Sequence, residues 1–303
     1  MKSLKSIYKS VRHSALYYFA KVAFALAGIL PRGIGLWLFG MIGMLVFLFP
    51  NREKTLTVEH LRFIFGAEWP EKKIRQTAAG VYRSLGKNTF DAIKLARVTD
   101  RAFWSIVNHD DFSEVKNAYE EGRGVAVFTA HTGCFEMLRH FFDRQGVKSF
   151  TIGRRLFDPR LDNLIHEIRS GRNIAYLDRD GSAMKVLRFL KEGRVFGALI
   201  DQDFRAEGVF GTFLGRTAFT VSGPVRVAMK LKIPTFVLTT ARLPDNTHRI
   251  FICKRLEFVD TGDFEADLVK NVQMANDLIC ATIMKFPEQW TWMHRRWQQQ
   301  PEC

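Results

Sequence analysis

Residues 124–136, GVAVFTAHTGCFE, decide the fold of this chain. The run 125–130 is apolar and follows a charged stretch that ends at Arg123, a pattern typical of a buried strand. His131 comes next, and residues 134–142 (CFEMLRHFF) have apolar side chains at helical spacing. We therefore expect His131 on the turn between a strand and a helix, which is where open α/β sheets bind their ligands.

Five residues separate His131 from Glu136. In one continuous helix the two side chains would point about 140° apart and could not meet. With His131 on the turn, the Glu136 carboxylate is expected to fold back and bind one ring nitrogen. That contact fixes the tautomer and makes the other nitrogen a better base for a hydroxyl proton. The alternative is a histidine bonded to a backbone carbonyl beside a surface glutamate.

The composition is that of a globular protein with an acidic partner. The chain has 303 residues, 47% hydrophobic and 25% charged, and a formal net charge of +14. Its length allows one large domain or two ordinary ones. The positive charge predicts binding to nucleic acid, anionic lipid or an acidic protein.

Several cofactor classes are disfavoured by motif. The chain has no GK[ST] phosphate loop and no G-x-G-x-x-G at a strand–helix turn, so a nucleotide cofactor is not expected. No two of its four cysteines have C-x-x-C spacing, so we expect no zinc site. Cys134 lies near His131 and is interpreted either as a nucleophile or, more simply, as a small buried residue. The cysteines are Cys134, Cys253, Cys280 and Cys303.

The N-terminal residues 1–55 combine charge with strong apolarity. They carry eight basic residues against one acidic residue, which is half of the net charge. Residues 33–50, GIGLWLFGMIGMLVFLFP, contain no charge and are just long enough to span a bilayer. Three interpretations are open: a spanning anchor, two helices in one leaflet broken near Pro31, or a buried hairpin. We expect 1–55 to bind the anionic cytoplasmic face of a membrane.

The rest of the chain is predicted to be a catalytic domain, residues 56–303. Residues 56–120 are expected to be a helical connector, and 121–303 an α/β core. Strands are predicted at 125–130, 148–153, 173–177, 194–200, 234–240 and 249–258. Helices are predicted at 161–169, 182–191, 222–230 and 264–286. This alternation predicts an α/β fold with a mixed, largely parallel sheet flanked by helices.

Three polar clusters follow predicted buried strands directly. They are His131, the pair Arg154 and Arg155, and the pair Asp201 and Asp203. If the strands run parallel, all three clusters lie at one edge of the sheet. A base, a cation and carboxylates there suit transfer to a hydroxyl with stabilisation of an oxyanion or phosphate. Taken singly, the arginines could be a solvated loop and Asp201 a turn cap.

Residues 208–222, GVFGTFLGRTAFTVS, are too rich in glycine for a helix and too apolar for an ordinary surface loop. Phe210, Phe213 and Phe219 are expected either to line an acyl channel or to pack on the core. In the first case the backbone amides near Gly211 and Gly215 would be free to donate hydrogen bonds.

The C-terminal residues 284–297, MKFPEQWTWMHRRW, alternate tryptophans with basic residues. Such a segment can stack on nucleic-acid bases or anchor a protein at a membrane surface. With the apolar N-terminus in view, we favour a role at the membrane or in closing the site.

At these residues the chain resembles the late acyltransferases of lipid A biosynthesis, the lauroyl and myristoyl transferases, within the lysophospholipid acyltransferase superfamily. The motif from His131 to Glu136 matches the superfamily's His-x4-Asp/Glu. Arg154, the Asp201–Asp203 pair and 210–220 match later motifs, and 287–296, PEQWTWMHRR, is similar to the C-terminal signature. The resemblance covers nearly the whole chain.

The resemblance implies a glycerolipid-acyltransferase-like fold and a specific reaction. His131, oriented by Glu136, would deprotonate a hydroxyl of a phosphorylated glucosamine-disaccharide lipid, and the alkoxide would attack an acyl thioester carried on acyl carrier protein. Arg154 would bind an acceptor phosphate or help to stabilise developing negative charge. Asp201 or Asp203 would position that arginine or the acceptor. The family implies no bound cofactor, no metal and no nucleic acid, and a place on the cytoplasmic face of the bacterial inner membrane. Other glycolipids, ornithine lipids or lysophospholipids are alternative acceptors, and a non-catalytic membrane- or nucleic-acid-binding protein is the competing class.

Overall fold

The computed structural model describes residues 4–156, 158–169, 171–178, 183–204 and 206–300. The helices are α1 Leu4–Ile29, α2 Arg32–Leu48, α3 Arg52–Phe65, α4 Glu71–Leu95, α5 Asp100–Trp104, α6 Ser113–Glu120, α7 Met137–Arg144, α8 Pro159–Arg169, α9 Ala183–Lys191, α10 Gly223–Leu231 and α11 Phe264–Lys285. The strands are β1 Val107–His109, β2 Val125–Thr129, β3 Ser149–Gly153, β4 Ile174–Asp178, β5 Val195–Leu199, β6 Gly208–Phe213, β7 Arg216–Val221, β8 Thr235–Arg242 and β9 His248–Ile252. A 3-10 turn, Pro287–Gln289, follows α11.

The described strands form a seven-stranded sheet in the order β1-β9-β8-β2-β5-β3-β4. Its pairs are parallel except for β8 with β9, so the prediction of a mixed, largely parallel sheet is confirmed. Strand β2 lies near the centre and all five of its residues are buried. A strand covered on both faces has no solvent side, which is why this stretch is apolar throughout and does not alternate.

The register of β2 and β5 positions the site. Thr129 pairs with Leu199 in parallel. His131 and Asp201, each two residues further on, therefore leave the sheet side by side. The polar clusters after β2 and β5 converge because the chain direction and the register agree.

Helices α2 and α4 pack closely through glycines. A Cβ on Gly43 of α2 would lie 2.1 Å from the carbonyl oxygen of Tyr82, and one on Gly86 of α4 would lie 2.0 Å from that of Phe39. Only glycine permits so close an approach of the two backbones. Helices α1 and α2 also leave large apolar side chains exposed, among them Val22, Trp37, Leu45 and Leu48.

Within the described residues no single helix is long and apolar enough to cross a bilayer. Helices α2 and α3 together reach the length and composition of a span, but they are bent by 89° at the break between them. The predicted break near Pro31 is confirmed, since α1 ends at Ile29 and α2 begins at Arg32. Membrane attachment of residues 1–55 stays a prediction, and its first three residues lie outside the described part.

Residues 208–221 form a β-hairpin, which the sequence analysis did not predict. Strands β6 and β7 pair in antiparallel fashion, with Gly211 opposite Ala218. Leu214 and Gly215 form the connection, with φ of 51° and 75°. Two successive residues with positive φ define the hairpin turn whose twist matches that of the strands.

Other boundaries differ in detail. Strand β1 was not predicted, and residues 253–258 do not continue strand β9. Helix α7 begins at Met137 rather than at residue 134, because residues 133–136 form turns. Ser182, the expected start of helix α9, and Cys303 lie outside the described residues.

Candidate active site

The turn after β2 is fixed at its backbone. Gly133 has a φ of +51°, and a Cβ there would lie 2.6 Å from the carbonyl oxygen of Thr240. Its own carbonyl accepts a hydrogen bond from Asn88 Nδ2 at 2.8 Å, and its N–H donates to the Gln289 carbonyl at 2.9 Å. The turn that carries His131 is thus attached to β8, α4 and the C-terminal segment at once.

Asp201 is the carboxylate that binds the His131 ring. Its Oδ1 lies 2.8 Å from His131 Nδ1, and its Oδ2 accepts from the His131 backbone N–H at 2.8 Å and from Trp290 Nε1 at 2.7 Å. Burial alone would raise the pKa of Asp201, but His131 and Trp290 hold that pKa well below its usual range. An ionised Asp201 keeps the proton of His131 on Nδ1 and leaves Nε2 unprotonated, with its lone pair.

The expected contact between Glu136 and His131 was wrong. Among the described residues, Glu136 forms its ion pairs with Arg139 and Arg169, each at 2.7 Å, and none with His131. Burial would raise the pKa of Glu136, yet the two guanidinium groups hold the pKa below its usual value. Glu136 sits on the turn just before α7, where its side chain reaches the end of α8 instead of the imidazole.

Arg154 and Asp203 are not brought to His131. Arg154 is exposed just past β3, and the structure gives it no hydrogen bond or ion pair within the described residues. Asp203 accepts hydrogen bonds from the backbone and side chain of Gln299 and thereby holds the C-terminal segment. Substrate binding by either residue stays a prediction.

Gly211 and Phe213 belong to the hairpin and its packing. A Cβ on Gly211 would lie 2.7 Å from Gln273 Oε1 of α11, which also accepts from Thr212 N–H at 2.7 Å. Phe213 is buried beside Trp290, with ring centroids 5.5 Å apart. Phe213 is therefore a core residue, which is the second of the two alternatives stated for it, and it does not line the cavity described below.

The C-terminal tryptophans are buried. Trp290 and Trp292 are fully enclosed, and Trp297 nearly so. They are therefore not available for stacking on bases or for anchoring at a membrane surface. Arg296 is also buried, and it donates to Thr220 Oγ1 of β7 at 2.7 Å. The segment closes one side of the site, as favoured above.

Two other candidates were a nucleophilic Cys134 and a metal site, and the described residues support neither. Burial, followed by the Asp91 charge, raises the pKa of Cys134 to about 12, so a thiolate nucleophile is unfavourable there. Within the described part of the chain no group of three His, Cys, Asp or Glu residues could hold a metal ion.

An apolar cavity of about 360 Å³ opens beside the His131 turn. Its lining residues come from helices α1, α4 and α8, from residues 133–136 and from Thr291. Glu136 and Arg169 are the charged residues in its lining. Its size lies within the usual range for small-ligand pockets, about 300–1,000 Å³.

Sequence reasoning missed Arg169, Gln202 and His294. Arg169 ends α8 and bonds both Glu136 and Tyr176. Gln202 lies between the predicted Asp201 and Asp203, and its amide contacts the rings of His131 and His294. Gln202 could have been predicted, because it lies inside a polar cluster that was predicted at the end of a strand. No feature of the sequence around Arg169 indicated a role in the site.

Comparison with known proteins identifies a family for the chain. A family model described as "Bacterial lipid A biosynthesis acyltransferase" matches residues 4–299, nearly the whole chain. A search of curated proteins found no match.

Proposed function

Because the chain belongs to the bacterial lipid A biosynthesis acyltransferase family and is thus an acyltransferase for a lipid A-like acceptor, we propose that His131 is its general base and acyl carrier protein its donor. The observation that carries this proposal is the Asp201–His131 pair at the edge of the sheet, with Nε2 free of the carboxylate. An imidazole with one nitrogen hydrogen-bonded to a carboxylate is suited to removing a hydroxyl proton with the other nitrogen.

The apolar cavity supports a long-chain substrate. Its lining includes residues 133–136 of the turn that follows His131, so an acyl chain lying in it could reach the base with its carbonyl carbon. Arg169, fixed by Glu136 at 2.7 Å, adds a positive charge to the same lining. We propose that Arg169 faces the reacting carbonyl and that the exposed Arg154 binds acceptor phosphate.

Charge supports the proposed donor and the proposed location. Acyl carrier proteins are acidic, and the acceptor carries phosphates, so both suit a protein with a net charge of +14. The exposed apolar side of α1 and α2, with the basic residues of 1–55, suits the cytoplasmic face of the inner membrane. The proposed chemistry requires no bound cofactor and no metal.

The function is tested by product mass. The purified, detergent-solubilised protein is incubated with a tetra-acylated lipid A precursor and a panel of acyl carrier protein thioesters, with His131→Ala as the control. We expect a mass gain of one acyl group with the wild-type protein and at least one donor. No gain with any donor would redirect the proposal to another glycolipid, an ornithine lipid or a lysophospholipid, each run as a parallel acceptor. A gain that persists in His131→Ala would refute the base assignment.

Membrane binding is predicted to depend on the apolar side of α1 and α2. Because Trp37 and Leu48 are each 67% exposed there, replacing both with glutamate should weaken binding to vesicles at least about 100-fold, from the transfer free energy of two large apolar side chains. Co-sedimentation with phosphatidylethanolamine/phosphatidylglycerol vesicles measures this. Met184→Glu, 77% exposed on α9, is the matched control and should bind as the wild type does. Equal binding by both variants would place the membrane surface elsewhere.

A further inference from the structure

We propose that Gln202 is a further catalytic residue, whose side-chain amide donates a hydrogen bond to the oxyanion formed at the thioester carbonyl, and that His294 positions this amide. The inference rests on the proposed acyl transfer and names a group that stabilises its transition state.

The Gln202 amide nitrogen lies between two imidazoles. It is 2.9 Å from His131 Nε2, 3.0 Å from His131 Nδ1 and 2.6 Å from His294 Nε2. Since Nδ1–H of His131 donates to Asp201, Nε2 is unprotonated and carries a partial negative charge, which would repel an amide oxygen only 2.9 Å away. The geometry therefore assigns the NH₂ end of the Gln202 side chain to this position.

The base remains open to substrate in this arrangement. The amide nitrogen is almost equally distant from the two ring nitrogens of His131. It therefore lies off the in-plane axis of the Nε2 lone pair, which is the direction from which a hydroxyl donates its proton. The amide is a donor beside the reacting atoms that does not block the path of the proton.

His294 is built to accept a hydrogen bond. It follows the buried Trp290 and Trp292, which attach this part of the chain to the core. Burial, and then the nearby His131, lowers the pKa of His294 to about 4, so the ring is neutral near pH 7 and its Nε2 can accept. One N–H of Gln202 is thereby committed to His294, and the second faces the region of His131 Nε2.

The second N–H matches the place where charge develops. As the acceptor hydroxyl transfers its proton to His131 Nε2, its oxygen bonds to the thioester carbon, and the carbonyl π electrons move to the carbonyl oxygen. That oxyanion, attached to the attacked carbon, forms close to Nε2 and within reach of the Gln202 amide. The intermediate then expels the thiolate, which takes the proton from His131, so no further reactant is needed. Such a donor stabilises the intermediate more than the substrate.

The test is a kinetic comparison of Gln202→Leu with the wild-type enzyme. Loss of one oxyanion donor is expected to lower kcat about 10²–10³-fold. KM should change less than about threefold, because the interaction is made only in the transition state. The acid limb of the pH profile of kcat/KM should not move, whereas it would shift if Gln202 merely tuned the basicity of His131. Gln298→Leu, an exposed glutamine on the same segment, is the control and should keep wild-type kcat.

A double-mutant cycle tests the positioning by His294. His294→Phe alone should also lower kcat. Added to Gln202→Leu, it should lower kcat by less than a further factor of about three, since the two residues act as one unit. His294→Gln keeps an acceptor oxygen and should restore at least about a tenth of wild-type kcat. Gln202→Glu has the same shape without the donor, so it serves if Gln202→Leu fails to fold.

The outcomes separate the two proposals. A wild-type enzyme that acylates no lipid would refute the proposed function. An active wild type with nearly unchanged kcat in Gln202→Leu and Gln202→Glu, a shifted acid limb, or independent losses from Gln202 and His294 would overturn this inference alone.

Discussion

Asp201→Asn is expected to lower kcat for acyl transfer by about 10³–10⁴-fold, close to the loss in His131→Ala. An asparagine can still accept from the His131 backbone and from Trp290 with its oxygen, but its NH₂ group would then face His131 Nδ1. The imidazole would respond by placing its proton on Nε2, and the nitrogen that must accept the hydroxyl proton would lose its lone pair. The double variant Asp201→Asn/His131→Ala should have about the same kcat as either single variant, because the two residues act together.

Glu136→Gln is the contrasting variant for this prediction. Glu136 contacts Arg139 and Arg169 rather than His131. The kcat of Glu136→Gln should therefore stay at least about ten times higher than that of Asp201→Asn. Initial rates of product formation, at saturating donor and acceptor, measure both. Thermal unfolding of each variant shows whether a fold defect contributes. If Glu136→Gln is the more damaging change, Glu136 rather than Asp201 orients the base in the reacting complex.

Much of the fold could be predicted because its signals are local. The apolar run of β2 and the strand–helix alternation after residue 121 are visible in short windows, and the order of secondary structure follows from them. The position of His131 on a turn was predicted on the same basis and is confirmed. Family membership, too, rests on local motifs whose order and spacing match.

The pairing of side chains could not be predicted in the same way. His131 lies five residues from Glu136 and 70 from Asp201, and the nearer carboxylate was chosen for it. Which one binds the ring depends on the register of β2 with β5, which a single sequence does not state. The hairpin of β6 and β7 was missed because its turn uses Leu214 with positive φ, which the sequence does not signal.

A buried ionic network supports the turn between β2 and α7. Asp91 is fully buried on α4 and accepts from Arg32 at 2.8 Å, from Arg242 at 2.6 Å and from His248 Nε2 at 2.8 Å. Arg242 also donates to Asn88, whose amide holds the carbonyl of Gly133. The network thus joins α2, α4, β8 and β9 to the turn that carries His131.

Asp91→Asn is expected to lower the free energy of unfolding by about 3–5 kcal/mol, because it leaves buried arginines without their counter-charge. For a chain of this size the Tm should fall by roughly 5–8 °C, measured by tryptophan fluorescence on heating in detergent. Asp260→Asn, which breaks the exposed pair with Lys232, is the matched control and should change stability by less than about 1 kcal/mol.

The same network predicts a dependence on pH. Burial tends to raise the pKa of Asp91, but His248, Arg32 and Arg242 hold that pKa well below its usual range. A carboxylate whose pKa is lower in the folded state binds fewer protons there than in the unfolded chain. Its contribution is therefore complete above the unfolded pKa of about 3.9 and is lost as the pH falls below it. Wild-type Tm should fall on acidification through this range more steeply than that of Asp91→Asn. Parallel curves for the two proteins would mean that Asp91 is not held ionised by its partners, and that the turn is supported by packing alone.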